Sequence, residues 1–406
     1  MALFLAILLM SMSLTFVMTE GQPTLIWSRT WDSGYHDRAL DVAVGSDIYV
    51  AGYNNTFGGD SDVLLLKYDT SGNLQWSSLW DSGGNERARS VAIGSDIYVA
   101  GYTSSETNPD NVLLLKYDED RTLLWDEIWD SGYDDRANDV AVGSYIYVTG
   151  DYFTGVDRNV FLLKYDTSGN LQSGWPKFWD SGSTDIATSV AVGSDIYVAG
   201  YNYSATGSNA FLLKYDSDGN LLWKRFWDSG YNDETDGLAV SSYIYVSGLT
   251  QSGVNPSNVF LLKYDPNGNL KWSRTWDSGD DEEEQALVVV ESYIYVAVPS
   301  NFGSTRNIFL LKYDPDGNLI WTQFYDSGDD DEAEGVAIGS DIYVAGSTSS
   351  ETNPDNVLLL RYSDTTPVGG YYAIENKFSI IAPYLALIGL IGVFSTILVI
   401  RKWRKS

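Results

Sequence analysis

Four stretches of this chain concentrate carboxylates: Asp134-Asp135, Asp233-Glu234, Asp280-Asp281-Glu282-Glu283-Glu284 and Asp329-Asp330-Asp331-Glu332. Carboxylate oxygens are hard ligands, so the metal they would hold is Ca²⁺. Asp280, Asp281 and Glu282, with Asp329, Asp330 and Asp331, form the densest clusters and are the candidate ligands. A solvated acidic rim is the competing reading. Two acids would also suffice for a glycosidase, but among 55 Asp and Glu any one pair is uninformative. The chain has one His, His36, and no Cys. That leaves no Ser-His dyad supported by spacing, no His-rich metal site, no thiolate chemistry and no redox ligands. No Gly-rich phosphate loop opens a helix. His36 reads as a surface residue, and the chain as a non-enzyme.

Two short motifs add candidates. Asn54-Asn55-Thr56 and Asn202-Tyr203-Ser204 are glycosylation sequons, which makes Asn54 and Asn202 acceptor candidates. Asp216-Ser217-Asp218-Gly219-Asn220 and Asp314-Pro315-Asp316-Gly317-Asn318 look like calcium loops but lack the downstream bidentate Glu. A hairpin turn with Gly in a left-handed conformation explains them better.

These residues sit on a repeated frame. Trp-Asp-Ser-Gly recurs from Trp31, Trp80, Trp129, Trp179, Trp227 and Trp276, and Tyr325-Asp-Ser-Gly is a seventh copy. Lys-Tyr-Asp recurs from Lys67, Lys116, Lys164, Lys214, Lys263 and Lys312, and Arg361-Tyr362-Ser363 takes the seventh place. A period near 50 residues fits a four-stranded propeller blade. In one copy, Val91–Ile93 and Ile97–Tyr102 flank a tight turn at 94–96. Val112–Tyr117 is almost continuously apolar, so it is expected to be buried on both faces. Leu123–Trp129 is the fourth strand.

The strand count decides the closure. The chain opens on a lone fourth-type strand, Leu25–Trp31, and ends on a third-type strand, Val357–Tyr362. If the first joins the last blade, all strands pair and no edge is left bare. Thirteen of the 14 Trp fall in fourth strands, in most of them as pairs four residues apart such as Trp76 and Trp80. Such a pair shares one strand face, which predicts an aromatic stripe packed on the next blade. The fold class is therefore all-β: a seven-bladed β-propeller of four-stranded blades, residues 24–362, with the N-terminal strand closing the last blade.

The blades resemble the bacterial and archaeal β-propeller repeat family, as in Leu212-Leu213-Lys214-Tyr215-Asp216-Ser217-Asp218-Gly219-Asn220-Leu221. They are also similar to the Asp-x-x-Gly-x-x-x-Trp units of quinoprotein-like propellers. The resemblance covers nearly all of residues 24–362. It implies a fold and an extracytoplasmic setting, not one activity.

Both ends point to a membrane. Residues 1–20 contain an apolar run of signal-peptide length, without a preceding Lys or Arg, so an uncleaved anchor competes with a cleaved leader. Residues 378–400 are 23 residues without a charge, enough to span a bilayer as one C-terminal transmembrane helix. The tail 401–406 carries Arg401, Lys402, Arg404 and Lys405, so the positive-inside rule puts it in the cytoplasm and the propeller outside. Residues 363–377 form the linker. Thr366-Pro367-Val368-Gly369-Gly370 followed by the apolar run resembles C-terminal anchors of archaeal cell-surface proteins. The expected location is the cell membrane, single-pass.

A net charge of -30 disfavours nucleic acid as a partner. The tight-turn side of the blades is nearly uniform, whereas the loops between second and third strands vary. The variable face is the expected binding surface, and the interblade acids share it. The reading is a surface binding or adhesion module for a glycan or surface protein. No cofactor is implied beyond Ca²⁺. An envelope scaffold and an extracellular polysaccharide hydrolase are the alternatives.

Overall fold

The computed structural model describes residues 21–363, apart from 56–58, 106–107, 205–206, 252–256, 284–285, 291–292, 302–304 and 351–352. The leader at 1–20, linker residues 364–377, the span at 378–400 and the tail lie outside the described residues. Among the described residues, no helix is long and apolar enough to cross a membrane.

Twenty-eight strands form seven antiparallel four-stranded sheets. Blades 1 to 6 each use four consecutive strands; blade 2, for example, is Asn85–Ile93, Ile97–Ser105, Asn108–Tyr117 and Leu123–Trp129. Blade 7 combines Asp330–Ile338, Ile342–Ser350 and Asn353–Tyr362 with the N-terminal strand Leu25–Trp31. The two chain segments pair from Leu25 opposite Tyr362 to Trp31 opposite Val357. The Ser363 N–H then donates to the Thr24 carbonyl at 2.9 Å. The closure expected from the strand count is present.

The core is divided among the blade junctions. Each of the seven apolar clusters draws on two neighbouring blades, and the cluster joining blades 7 and 1 includes Trp27 and Trp31. Third strands supply most of it: all eight residues of Ser61–Tyr68 are buried. Each fully buried Leu there contributes roughly 1.5–3 kcal/mol. The first Trp of each pair tilts against a Tyr of its own blade at 6.1 to 6.2 Å between centroids. In four blades the second packs on a Phe of the next blade, as in Trp129–Phe161 at 5.1 Å and Trp227–Phe260 at 4.4 Å. The Trp stripes are thus packing. Blade 3 departs from the pattern: its fourth strand shrinks to Lys177–Trp179, leaving Trp175 just outside. Pro176 has no N–H to give the ladder there.

The tight-turn side is knitted by Lys-Tyr-Asp. The Nζ atoms of Lys67, Lys116, Lys164, Lys214 and Lys263 donate to turn carbonyls of the following blade at 2.6 to 3.1 Å. In the same turns Asp69 accepts N–H bonds from Ser71 and Asn73, and Gly72 has φ +81°. Asp216 and Asp314 do the same ahead of Gly219 and Gly317. Their carboxylates cap their own hairpins, as the turn reading requires.

Candidate functional site: the long-loop face and the central channel

The Trp-Asp-Ser-Gly tetrad builds the variable face. Its Asp caps its own turn, taking the N–H of the tetrad Gly at 2.5 to 2.7 Å in every copy. Its Ser donates to an acid four residues on, at the start of the next blade. The pairs are Ser33–Asp37, Ser82–Glu86, Ser131–Asp135, Ser181–Asp185, Ser229–Asp233, Ser278–Glu282 and Ser327–Asp331. All seven acids are at most 2% exposed. Burial pushes the carboxyls of Asp135 and Asp185 up to about 6 and that of Glu282 up to about 7, against the donors that hold them. Burial likewise raises Asp37, Asp233 and Asp331.

This clamp reassigns several of the sequence candidates. Glu282 and Asp331 are buried clamp acids, not free ligands. The side-chain oxygens of Asp281 and Asp330 accept the backbone N–H groups of Ser257 and Arg306, each at 2.9 Å. Arg306 then pairs with Glu283 at 3.2 Å and with Glu332, supplying a cation between the two clusters. Asp280 is half-buried and Asp329 is exposed. Among the described residues these six are not gathered into a ligand group; Glu284 lies outside them. Asp135 and Asp233 are buried, whereas Asp134 makes a 3.8 Å pair with Arg158.

The sequon nitrogens are not presented to solvent. Asn54 and Asn202 are 3% and 9% exposed, and each Nδ2 donates to a tetrad Ser hydroxyl, Ser33 or Ser181. Attachment of a glycan would require opening that contact. His36 is exposed, with Nδ1 3.8 Å from Asp355.

Tyrosines stand out on this face. The residue after the tetrad Gly is Tyr at three junctions, and Tyr35, Tyr133 and Tyr231 are 41%, 50% and 52% exposed. Tyr133 meets Phe153 edge-on at 6.4 Å, which fixes its ring. Tyr203, 43% exposed near the end of the strand Ile196–Ser204, contacts Tyr201 at 5.8 Å.

The centre holds a second feature that sequence reading missed. Six first strands carry a bulge, and the extra residues Leu40, Arg89, Asn138, Thr188, Asp236 and Glu334 all line a cavity of about 520 Å³. A bulge re-aims a side chain, and here it turns one per blade into the channel. The next residue ties blade to blade. Ser90 Oγ lies 3.0 Å from Asp41 Oδ2 and 2.7 Å from Asp139 Oδ1, and Ser189 Oγ donates to Asp139 Oδ2 at 2.8 Å. Gly237 and Gly335 stand at this position in blades 5 and 7. A Cβ on Gly335 would sit 2.9 Å from the Asp41 backbone. Close backbone approach replaces the polar link there.

Ser90 carries one hydroxyl proton, so it cannot donate to two ionised carboxylates at once. A proton on one of the two carboxyls would let Ser90 Oγ accept from that one while donating to the other. Desolvation, reinforced by Asp139, lifts the Asp41 carboxyl to about 7, and burial raises Asp139 as well. The signal was present in the sequence of blades 1 to 4 as alternating Asp41, Ser90, Asp139 and Ser189.

No protein-family model and no curated protein matches this chain. Solved structures do. A protein of unknown function from Dyadobacter fermentans is 10% identical over 84% of this chain and 99% of its own, with a TM-score of 0.53. The polysaccharide lyase Uly1 is 10% identical over 81% of this chain and 90% of its own, also at 0.53. BBS1N, solved in complex with ARL6DN, is 9% identical over 86% and 98%, at 0.51. At such identities the likeness is one of fold alone: the chain is an all-β, seven-bladed propeller.

Proposed function

We propose that this chain is a cell-surface recognition module, held at the membrane by its C-terminal segment and binding a glycan or surface protein through the long-loop face. The observation that carries this reading is the set of exposed tyrosines Tyr35, Tyr133 and Tyr231 on interblade turns capped by the tetrad Asp. Tyrosine offers a large amphipathic surface at low entropic cost, which suits both sugar and peptide partners. The rest of each blade is consumed by packing, so variation between copies is concentrated where a ligand would meet it.

The test is binding of the full-length chain to a panel of glycans and envelope proteins. The triple variant Tyr35→Ser, Tyr133→Ser, Tyr231→Ser is expected to bind at least ~10-fold more weakly with an unchanged melting temperature. Equal binding by the variant would remove these residues from the site. An envelope scaffold is the second reading. It is favoured by the outer strands, where Leu79, Ile128, Phe178 and Phe226 are 47% to 51% exposed. Concentration-dependent sedimentation, lost on Phe178→Ser with Phe226→Ser, would support that reading instead.

A further inference from the structure

Position 62 differs from its six counterparts. Counting five residues back from the Lys or Arg of each third strand gives Asp62, then Asn111, Asn159, Asn209, Asn258, Asn307 and Asn356. The tetrad Asp and the clamp acid are carboxylates at every junction. Six junctions therefore combine two carboxylates with an amide, and the junction of blades 1 and 2 has three carboxylates. An amide can donate to a neighbouring carboxylate, whereas an ionised Asp cannot.

The geometry at this junction is close. Oxygens of Asp62, Asp81 and Glu86 lie within 4.8 Å of one another. Asp62 is only 7% exposed, yet among the described residues no hydrogen-bond donor or cation reaches its carboxylate. Its partners have donors of their own. Asp81 Oδ1 accepts the Gly83 N–H at 2.6 Å, and Glu86 Oε1 accepts the hydroxyls of Ser82 at 2.7 Å and Thr103 at 2.9 Å. Those donors leave further lone pairs on both groups. A buried carboxylate aimed at two others requires a proton or a cation.

We propose that Asp62, Asp81 and Glu86 form a divalent-cation site for calcium at the junction of blades 1 and 2. Calcium suits the site because all three ligands are hard oxygens and its coordination tolerates irregular geometry. Three protein ligands leave the remaining positions to water. That places the affinity near about 10⁻⁴–10⁻³ M, the range of extracellular modules. Burial together with Asp81, Glu86 and Asp60 lifts the Asp62 carboxyl to about 6, so a proton competes for the same place in mild acid. The site is independent of the recognition reading. It joins two blades whether or not the face above them binds anything.

The test uses the full-length chain and the variant Asp62→Asn, which reproduces the residue of the other six blades and should fold as they do. Melting is followed in chelator and in calcium at constant ionic strength, with calorimetric titration of calcium alongside. Wild type is expected to melt higher in calcium and to show one site that Asp62→Asn weakens more than tenfold. The variant should also melt higher than wild type in chelator, because it removes the repulsion. Asp280→Asn and Asp329→Asn should leave the site intact. Equal calcium responses in wild type and Asp62→Asn, or no response in wild type, would overturn the proposal.

Discussion

Acidification from about pH 8 to about pH 5 will raise the melting temperature of this protein. The folded state holds carboxyls whose affinity for protons exceeds that of the unfolded chain: Asp41 and Glu282 at about 7, Asp62, Asp135 and Asp185 at about 6. Between the unfolded value, near 4, and these folded values the native state binds more protons, so stability falls as pH rises through that window. A single carboxyl raised by two units accounts for roughly 3 kcal/mol. Even that one group should move melting by about 5 °C. The opposite sign applies to Asp69, Asp118, Asp166, Asp216 and Asp265. Hydrogen bonds from their own turns hold these exposed carboxyls below the usual range. Their contribution is lost only as pH falls through their low values. The maximum should therefore lie near pH 4 to 5. Asp41→Asn provides a check within the link. Its amide takes up no proton, so the variant should show a flatter pH profile; it also turns an N–H toward the Val42 or Val91 N–H that the carboxylate accepts, so it should melt lower than wild type at about pH 5. A melting temperature that falls steadily from about pH 8 to about pH 5 would contradict the assignment.

Removal of residues 21–32 should be the most damaging small deletion. It takes away Leu25–Trp31, bares the Asn353–Tyr362 edge, and strips Trp27 and Trp31 from the cluster joining blades 7 and 1. Two buried aromatic faces and a full strand ladder exceed the stability margin of most domains. The exposed edge then invites pairing with another copy. The expected outcome is aggregation, or melting lowered by more than about 10 °C, read by light scattering and circular dichroism. Unchanged melting with a monodisperse species would mean that blade 7 does not need its fourth strand.

The ring was legible because its signals are periodic. Seven Trp/Tyr-Asp-Ser-Gly copies fix the blade number, and the out-of-phase ends fix where the chain closes. Residues whose meaning depends on burial were not legible. Asp331 and Asp329 lie two apart in one acidic run, yet the first is clamped under Ser327 and the second is exposed. Composition cannot separate them; only the offset of four from the tetrad Ser can. Asn54 reads as a sequon but serves as a loop fastener on Ser33. The channel residues were hidden by the bulge, which breaks the two-residue alternation on which strand reading rests. Asp62 was visible in principle, as one Asp in a column of Asn. The runs at 280–284 and 329–332 are denser in acid, but there Arg306 already pairs with Glu283 and Glu332.

The central claim is that partners meet the long-loop face. Because the chain has no native Cys, single thiols can block either face selectively. Tyr133→Cys and Ser168→Cys place one thiol on the long-loop side and one on the tight-turn side, and each can carry a bulky polyethylene glycol maleimide. The measurement is binding of the full-length chain to its best ligand before and after coupling. Loss of binding with the adduct at residue 133, and none with the adduct at residue 168, is the predicted result. Loss only at residue 168, or at neither position, would contradict it.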